Sequence, residues 1–465
     1  MSFKRLSTLF PHPDSQACTQ LERFGPVLNK TIPLRGKHLS TLPYGIRDLS
    51  RMLTDERGEI SKDYMGQPAT RAAYLRYFLP WNLYRLIRLL QGLRLELQPD
   101  ALIGDLGSGP LTFPLALWMA QPELRELPLR LVCVDRTPSI MRDGLALFRA
   151  LTKDKSPWKF DLVKGPMHAG IRGGADLLVA ANALNELQWG PGGSMPAQAE
   201  RLAGSLRKGL SDQGRLLVVE PGTRRSGTIL SHLREQFIEL GMLPLAPCPH
   251  FAECPMNGLG IHPWCHFKLP VMGAPEWLEG LSRRAGLPKS DASISFLLLG
   301  RDAPEQQEHV RAISNVFAVP GGTGQYACAE QGMVLLRYES LSRAGWPGDL
   351  LEVEWPQAPE HDEKSGAPIL PVTWSSEAPK TEKTAPKAPS SRKTPRKPAR
   401  PSTDKADAKQ NKPARKPNRK EGEKSGPQKP APKRGRKSEA NADRGNQQQP
   451  GKPSGPKRAP RPKKK

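Results

Sequence analysis

Nowhere in the 465 residues is there an apolar run approaching the ~20 residues that a membrane helix needs. The opening Met1-Ser-Phe-Lys-Arg-Leu6 contains no apolar signal core, so a cytoplasmic protein is the expectation and no membrane is a partner. Cysteine is scarce: six in so long a chain exclude a disulfide scaffold. From Ser375 onward there is no Leu, Ile, Val, Met, Phe, Trp, Tyr or Cys. Such a segment cannot bury apolar area to offset the entropy of ordering it, and disorder is expected there.

What that last segment does carry is charge. The chain's net charge is +24, and Lys380 to Lys465 holds about 29 basic against about 7 acidic residues, which leaves the rest nearly neutral. Stretches such as Lys393-Thr-Pro-Arg-Lys-Pro-Ala-Arg400 predict an extended polycation. Without aromatics it cannot stack bases, so it would bind nucleic acid electrostatically and non-specifically, or act as a solubility tail.

The organising motif lies at Ala101-Leu-Ile-Gly-Asp-Leu-Gly-Ser-Gly-Pro110, a short apolar run, an acid, and two glycines, followed by an apolar helical stretch, Leu111–Met119. This reads as a strand entering a tight turn at a helix N-terminus. Gly107 and Gly109 permit a close backbone approach to a ligand, and the helix offers unpaired N–H groups to an anionic one. The dinucleotide pattern G-x-G-x-x-G fails, because Thr112 stands at its last place. Asp105 instead gives D-x-G-x-G, which looks like the first motif of class I S-adenosylmethionine (SAM) methyltransferases, with Leu111 where those enzymes usually carry a third glycine.

Around this motif the chain alternates. Residues 1–95 read as a mostly helical N-terminal region, strongest over Thr70–Gln98, with Pro80 forcing a break. Arg71, Arg76, Arg85, Arg88 and Arg94 there could face solvent or RNA phosphates. Strands are predicted at Ala101, at Leu129–Val134, at Phe160–Val163, at Asp176–Ala181 and at Gly214–Glu220, then late at Ile294–Leu299 and Met333–Tyr338. Asp135, about 28 residues after the glycine turn and closing the second strand, suits a ribose diol, a carboxylate accepting two hydroxyl hydrogen bonds, or else caps the next helix. Asn182, after the fourth strand, would line the floor of the crevice. Asn182-Ala-Leu-Asn185 is not the Asn-Pro-Pro-aromatic signature of amino-group methylation, and no cysteine follows the fourth or fifth strand to attack a pyrimidine carbon. No catalytic residue can therefore be assigned.

Three of the six cysteines, Cys248, Cys254 and Cys265, fall within 18 residues rich in proline and glycine, and Cys328 precedes the last predicted strand. If the two late strands pair beside the loop, four sulfurs converge, as suits a zinc ion or an iron–sulfur cluster. Intervals of five and ten residues followed by a long gap are not those of a zinc ribbon and lean toward a cluster. His250, His262 and His266 keep a mixed Cys/His zinc site open, and Cys133 reads as core.

Taken together, Asp105-Leu-Gly-Ser-Gly-Pro110, Glu220-Pro-Gly-Thr223, Cys248-Pro-His with Cys254-Pro, Trp264-Cys-His-Phe267, Arg311-Ala-Ile ahead of Pro320 and Cys328, and Tyr74-Leu-Arg-Tyr-Phe-Leu-Pro80 resemble a known family. It is the methyltransferase-like small-ribosomal-subunit family, bacterial relatives of the mitochondrial ribosome assembly factor that carries an iron–sulfur cluster. The resemblance, over roughly residues 40–350, implies an α/β class I SAM-methyltransferase (Rossmann-like) sheet and a 4Fe-4S cluster on Cys248, Cys254, Cys265 and Cys328. It also implies association with the small ribosomal subunit through its rRNA.

The resulting expectation is a helical region over residues 1–95 and a methyltransferase-like domain over 96–350 with a Cys-rich insertion at about 244–290, then a disordered basic tail over 351–465. SAM would be held by Asp105, Gly107, Gly109, Asp135 and Asn182. Two functions follow: a SAM-dependent rRNA methyltransferase, or a non-catalytic assembly factor that uses fold and cluster structurally.

Overall fold

A computed structural model describes residues 2–374 except 35, 55–63, 168–170, 172, 191–192, 303–307 and 342–343. The basic tail expected from Lys380 lies outside the described residues.

The chain opens with a strand, β1 (Ser2–Thr8), rather than a helix. Helices α1 (Ser15–Thr31), α2 (Lys37–Thr54) and α3 (Pro68–Ala73) follow. Asp14 caps α1, its carboxylate accepting the Ala17 amide at 2.7 Å. Helix α3 runs through a π-turn, Tyr74–Phe78, into α4 (Leu79–Leu90). Proline lacks an N–H and its ring crowds the turn before it, so the break expected at Pro80 takes the form of a wider winding rather than an end. Arg76 and Arg88 are buried; Arg76 bonds the Ile32 carbonyl, and Arg88 reaches the Tyr84 hydroxyl at 3.0 Å. Arg71 pairs with Asp143 at 2.7 Å. These three brace the helices, which neither the solvent-facing nor the RNA-facing reading anticipated.

The α/β region runs β2 (Leu102–Leu106), α5 (Thr112–Ala120), β3 (Arg130–Asp135), α6 (Pro138–Thr152), β4 (Lys159–Lys164), β5 (Ala175–Ala181), α7 (Met195–Lys208), β6 (Leu210–Pro221), α8 (Arg224–Glu239), β7 (Leu243–Ala246), β8 (Phe267–Pro270), α9 (Glu276–Arg284) and β9 (Asp291–Gly300). The strand order is β4-β3-β2-β5-β6-β9-β7, with β8 on β9. β2 to β6 are parallel, and β9 runs antiparallel to β6, β7 and β8. A doubly wound sheet with its switch point between β2 and β5 and one reversed late strand is the class I SAM-methyltransferase fold. Successive residues of β5 serve opposite faces: Leu177 and Val179 join the core under α4 to α6, Leu178 and Ala180 the core under α7 and α8.

The late pair differs from expectation. β9 covers Ile294–Leu299 as predicted, but its partner is β7. Only four residues long, with Pro244 inside and a register shift, β7 leaves little pattern in the sequence. Met333–Tyr338 belongs to a second sheet.

That sheet comprises β10 (His309–Ala312), β11 (Phe317–Val319), β12 (Gly322–Ala329), β13 (Gly332–Tyr338), β14 (Asp349–Glu352) and β15 (Ile369–Trp374), together with β1. The order is β10-β14-β1-β15-β13-β12-β11, and β10 also pairs with β12. Six strands thus close into a small barrel, while β11 pairs with the first residues of β12. Two expectations shift: folded structure runs past residue 350 to Trp374, and the first strand of the chain belongs to its end. Val310 and Ala312 of β10 and Ala327 and Ala329 of β12 fill the barrel. The residues between them, Arg311 and Cys328, therefore point outward, and they are register partners.

Candidate functional site

The first site lies at the carboxyl ends of β2, β3 and β5, where open parallel sheets bind ligands. The backbone leaves β2 through Gly107 and Gly109, both left-handed at φ +68° and +51°. A Cβ on Gly107 would stand 2.7 Å from Cβ of Ala183, while one on Gly109 would project into open space. Leu111, in the place of the absent third glycine, is also left-handed at φ +56°, so the turn keeps its shape at a cost in strain of about 1–2 kcal/mol. Its side chain is buried in the core rather than the crevice.

Asp135 fastens the turn. Its Oδ2 accepts the Gly109 amide at 3.0 Å and its Oδ1 the Thr137 amide at 2.8 Å. The Thr137 side chain makes no cap bond, so at this helix start the aspartate serves the amides. Asp105 is 1% exposed, and its Oδ2 is buried without a hydrogen-bond partner. Burial pushes its carboxyl up to about 7. Asn182 is left-handed at φ +58°, an uncommon conformation for a side-chain-bearing residue, and stands at the end of β5 on the crevice floor.

Four of the five residues expected at a cofactor site come together in one place. Gly107, Gly109, Asp135 and Asn182 line one crevice of about 400 Å³, within the roughly 300–1,000 Å³ range of small-molecule sites, and Asp105 lies beneath the turn. The N-terminal helices close its far side through Leu53, Met65 and Tyr74, and Arg136 and Arg225 stand at its wall. One structural acid escaped the sequence reading as a site residue. Glu220 is buried at the end of β6, where its carboxyl accepts the amides of Leu184 at 2.8 Å and Asn185 at 3.2 Å. It thereby fixes the turn that carries the crevice floor. Burial pushes it up to about 8. An acid closing a strand next to Pro-Gly was the available signal.

The second site lies behind α8. Cys248, Cys254 and Cys265, from the connection between β7 and β8, and Cys328, from β12, line one buried pocket with Ser231, Arg234 and His250. His250 Nε2 sits 3.2 Å from Cys328 Sγ. Burial and then the neighbouring thiols push Cys254, Cys265 and Cys328 up. Burial, with Arg234 adding to it, pushes His250 down to about 4, so it is neutral at pH 7. Among the described residues, no three His, Cys, Asp or Glu side chains stand close enough to hold one metal ion. Of the three candidate histidines only His250 lines the pocket; His262 is exposed and His266 stacks on Trp264 at 4.7 Å. Cys133 is buried in β3, as expected, and Cys18 is half-buried on α1.

The Cys-bearing connection is tied to the same elements that form the crevice. Trp264 donates from Nε1 to the Gly222 carbonyl at 3.2 Å, and Ser295 donates to the Cys265 carbonyl at 2.9 Å. Arg224 lies over the Trp264 ring and bonds the carbonyls of Gly258 at 3.0 Å and His262 at 2.7 Å. Its neighbour Arg225 faces the crevice.

The family model for the mitochondrial small ribosomal subunit Rsm22 proteins matches residues 82–315, half of the chain, a span that holds the glycine turn and Cys248, Cys254 and Cys265 but not Cys328. The chain belongs to the Rsm22 family. No curated protein sequence matches it. Among solved structures it is similar to a methyltransferase from Pyrococcus furiosus, 12% identical, covering 44% of this chain and 77% of that one at a TM-score of 0.27. It is also similar to YcgJ protein from Bacillus subtilis, 12% identical, covering 48% and 99% at a TM-score of 0.28. A third is fibrillarin from Aeropyrum pernix with bound SAM, 17% identical, covering 47% and 76% at a TM-score of 0.26. Within this Rsm22-family chain it is the strand order that fixes the fold.

Proposed function

We propose that this protein is a SAM-binding, methyltransferase-like component of the small ribosomal subunit that contacts rRNA and carries a 4Fe-4S cluster. The observation that carries the reading is the crevice at the glycine turn, where Gly109 leaves room for a ligand and the Asp105 oxygen beneath the turn is buried without a partner. A cationic ammonium supplied by a methionine-type ligand fits an unpaired carboxylate, and a nucleoside fits beside Asp135, whose oxygens retain lone pairs for a diol. When bound, SAM supplies an electrophilic methyl group. Gly107 and Gly109 admit its backbone-close approach, and Leu53, Met65 and Tyr74 exclude water from the far side.

Cys248, Cys254, Cys265 and Cys328 line one cavity, and four thiolates are the ligand set of an iron–sulfur cluster. Ribosome association rests on the family, and rRNA contact rests on that association.

Calorimetry with SAM on the intact, anaerobically purified chain tests the crevice: micromolar binding lost in Asp105→Asn is expected, and no heat from the intact chain would overturn it. Iron and acid-labile sulfide in a brown protein are expected; colourless protein with stoichiometric zinc would overturn the cluster. Crosslinking to rRNA within the small subunit tests the partner.

A second reading, a non-catalytic assembly factor, is favoured by Asp135, both of whose oxygens already hold backbone amides. It predicts that Asp105→Asn with Asp135→Asn leaves ribosome association and assembly unchanged.

A further inference from the structure

Two guanidiniums are buried beside the four-thiol pocket without a carboxylate to match them. Arg234, on α8, is 2% exposed and lines the pocket. Its Nη2 donates to the His250 carbonyl at 2.9 Å, and its Nε has no hydrogen-bond partner. Arg311, on the barrel strand β10, is 5% exposed and stands opposite Cys328 in register. It donates from Nε to the Pro247 carbonyl at 2.9 Å and from Nη1 to the Gly348 carbonyl at 2.8 Å, both neutral acceptors. Among the described residues no carboxylate lies within 4.0 Å of either. The carboxylate that acts on Arg311 is Asp349, which is bridged at 2.9 Å by Arg5.

A buried cation that lacks a counter-ion is costly. The missing charge is negative, and it belongs at the sulfurs. Four thiolates around a cubane core of two positive charges form a dianion, which two guanidiniums neutralise. One electron added to that centre makes a trianion, and the same guanidiniums then favour the reduced form.

We propose that Arg234 and Arg311 are positioning residues for an anionic four-thiolate cluster, neutralising its oxidised form and raising its reduction potential. This rests on the cluster reading above. It also assigns the two sides of the pocket distinct parts. The sheet domain supplies three sulfurs and one cation, while the barrel supplies Cys328 and the other cation. The centre thus fastens the barrel to the sheet by charge as well as by coordination.

The test is a dithionite titration of the full-length, anaerobically purified chain, read by electron paramagnetic resonance and followed for wild type, Arg311→Met, Arg311→Lys and Arg234→Met. Dithionite supplies the single electron. At the potential where wild type is half reduced, each Met variant should show a reduced-to-oxidised ratio about tenfold lower, ~59 mV for one electron. Arg311→Lys should restore most of it. A Met variant with full iron and sulfide and an unmoved midpoint overturns the proposal while leaving the cluster in place. If Arg311→Met holds no cluster but Arg311→Lys does, the charge role stands. If neither holds one, the midpoint of Arg234→Met decides. Wild type without iron and sulfide sinks the cluster reading itself, and this proposal with it.

Discussion

The crevice and the thiol pocket lie on either side of α8 and are built by opposite means. The crevice takes its main-chain turn, its acids and its floor from the ends of neighbouring parallel strands, so local sequence and sheet order together produce it. The pocket takes three sulfurs from one connection and the fourth from a barrel whose first strand lies at the opposite end of the chain. A site of the first kind depends on backbone shape and tolerates little change at glycine. A site of the second kind depends on two modules staying together, and a single side chain can abolish it.

The largest effect should come from Cys328→Ser. It removes the only sulfur supplied by the barrel, so iron and sulfide per chain should fall from full to near none, since a neutral hydroxyl is a poor substitute for a thiolate ligand. SAM affinity should stay within about twofold, because the crevice draws nothing from the barrel. A parallel loss of SAM binding, measured by calorimetry, would break the distinction and make the two sites one cooperative unit. Gly107→Ala is the converse. The added Cβ would stand 2.7 Å from that of Ala183 at a backbone φ of +68°. Strain plus clash should cost about 2–3 kcal/mol of stability and more than tenfold in SAM affinity. Iron content should be unchanged, and a colour loss equal to that of Cys328→Ser would sink the separation from the other side.

The same contrast explains what could be read from the sequence. Short continuous apolar runs, Asp105-x-Gly-x-Gly and Asp135 marked the parallel sheet and its crevice, because each signal lies within a few residues of the feature it makes. Leu111 concealed a left-handed position, since a leucine gives no hint of a positive φ that its own core packing sustains. The barrel escaped almost entirely. Its strands are short, its inward residues include small alanines, and β1 and β15 are separated by the whole folded chain. Cys328 was legible as a candidate sulfur, but its partner Arg311 was not legible as a buried cation: only the pairing of β10 with β12 sets them side by side. The arginines of residues 71–94 carry the same lesson. Periodicity shows which residues share a face but not that Arg76 and Arg88 turn inward to bond carbonyl and hydroxyl groups.

The smallest effect sharpens the comparison through pH. Burial pushes Glu220 up to about 8 and Asp105 up to about 7, both on the crevice side. An unfolded chain, with carboxyls near ~4, releases those protons first. Between about pH 4 and pH 8 the folded state therefore binds more protons than the unfolded one, and stability falls as pH rises through that window. It is greatest at the acid end and levels off above about pH 8. Glu220→Gln keeps an oxygen to receive the Leu184 amide but cannot ionise. Denaturant unfolding at about pH 5.5 and about pH 7.5 should show wild type losing about 2–2.5 kcal/mol more than the variant across that interval. Equal losses would mean that Glu220 is charged in the folded chain and that the floor turn is held by a carboxylate. The protonated acid belongs to the crevice alone, so the difference between wild type and variant should be the same whether or not the thiol pocket is loaded.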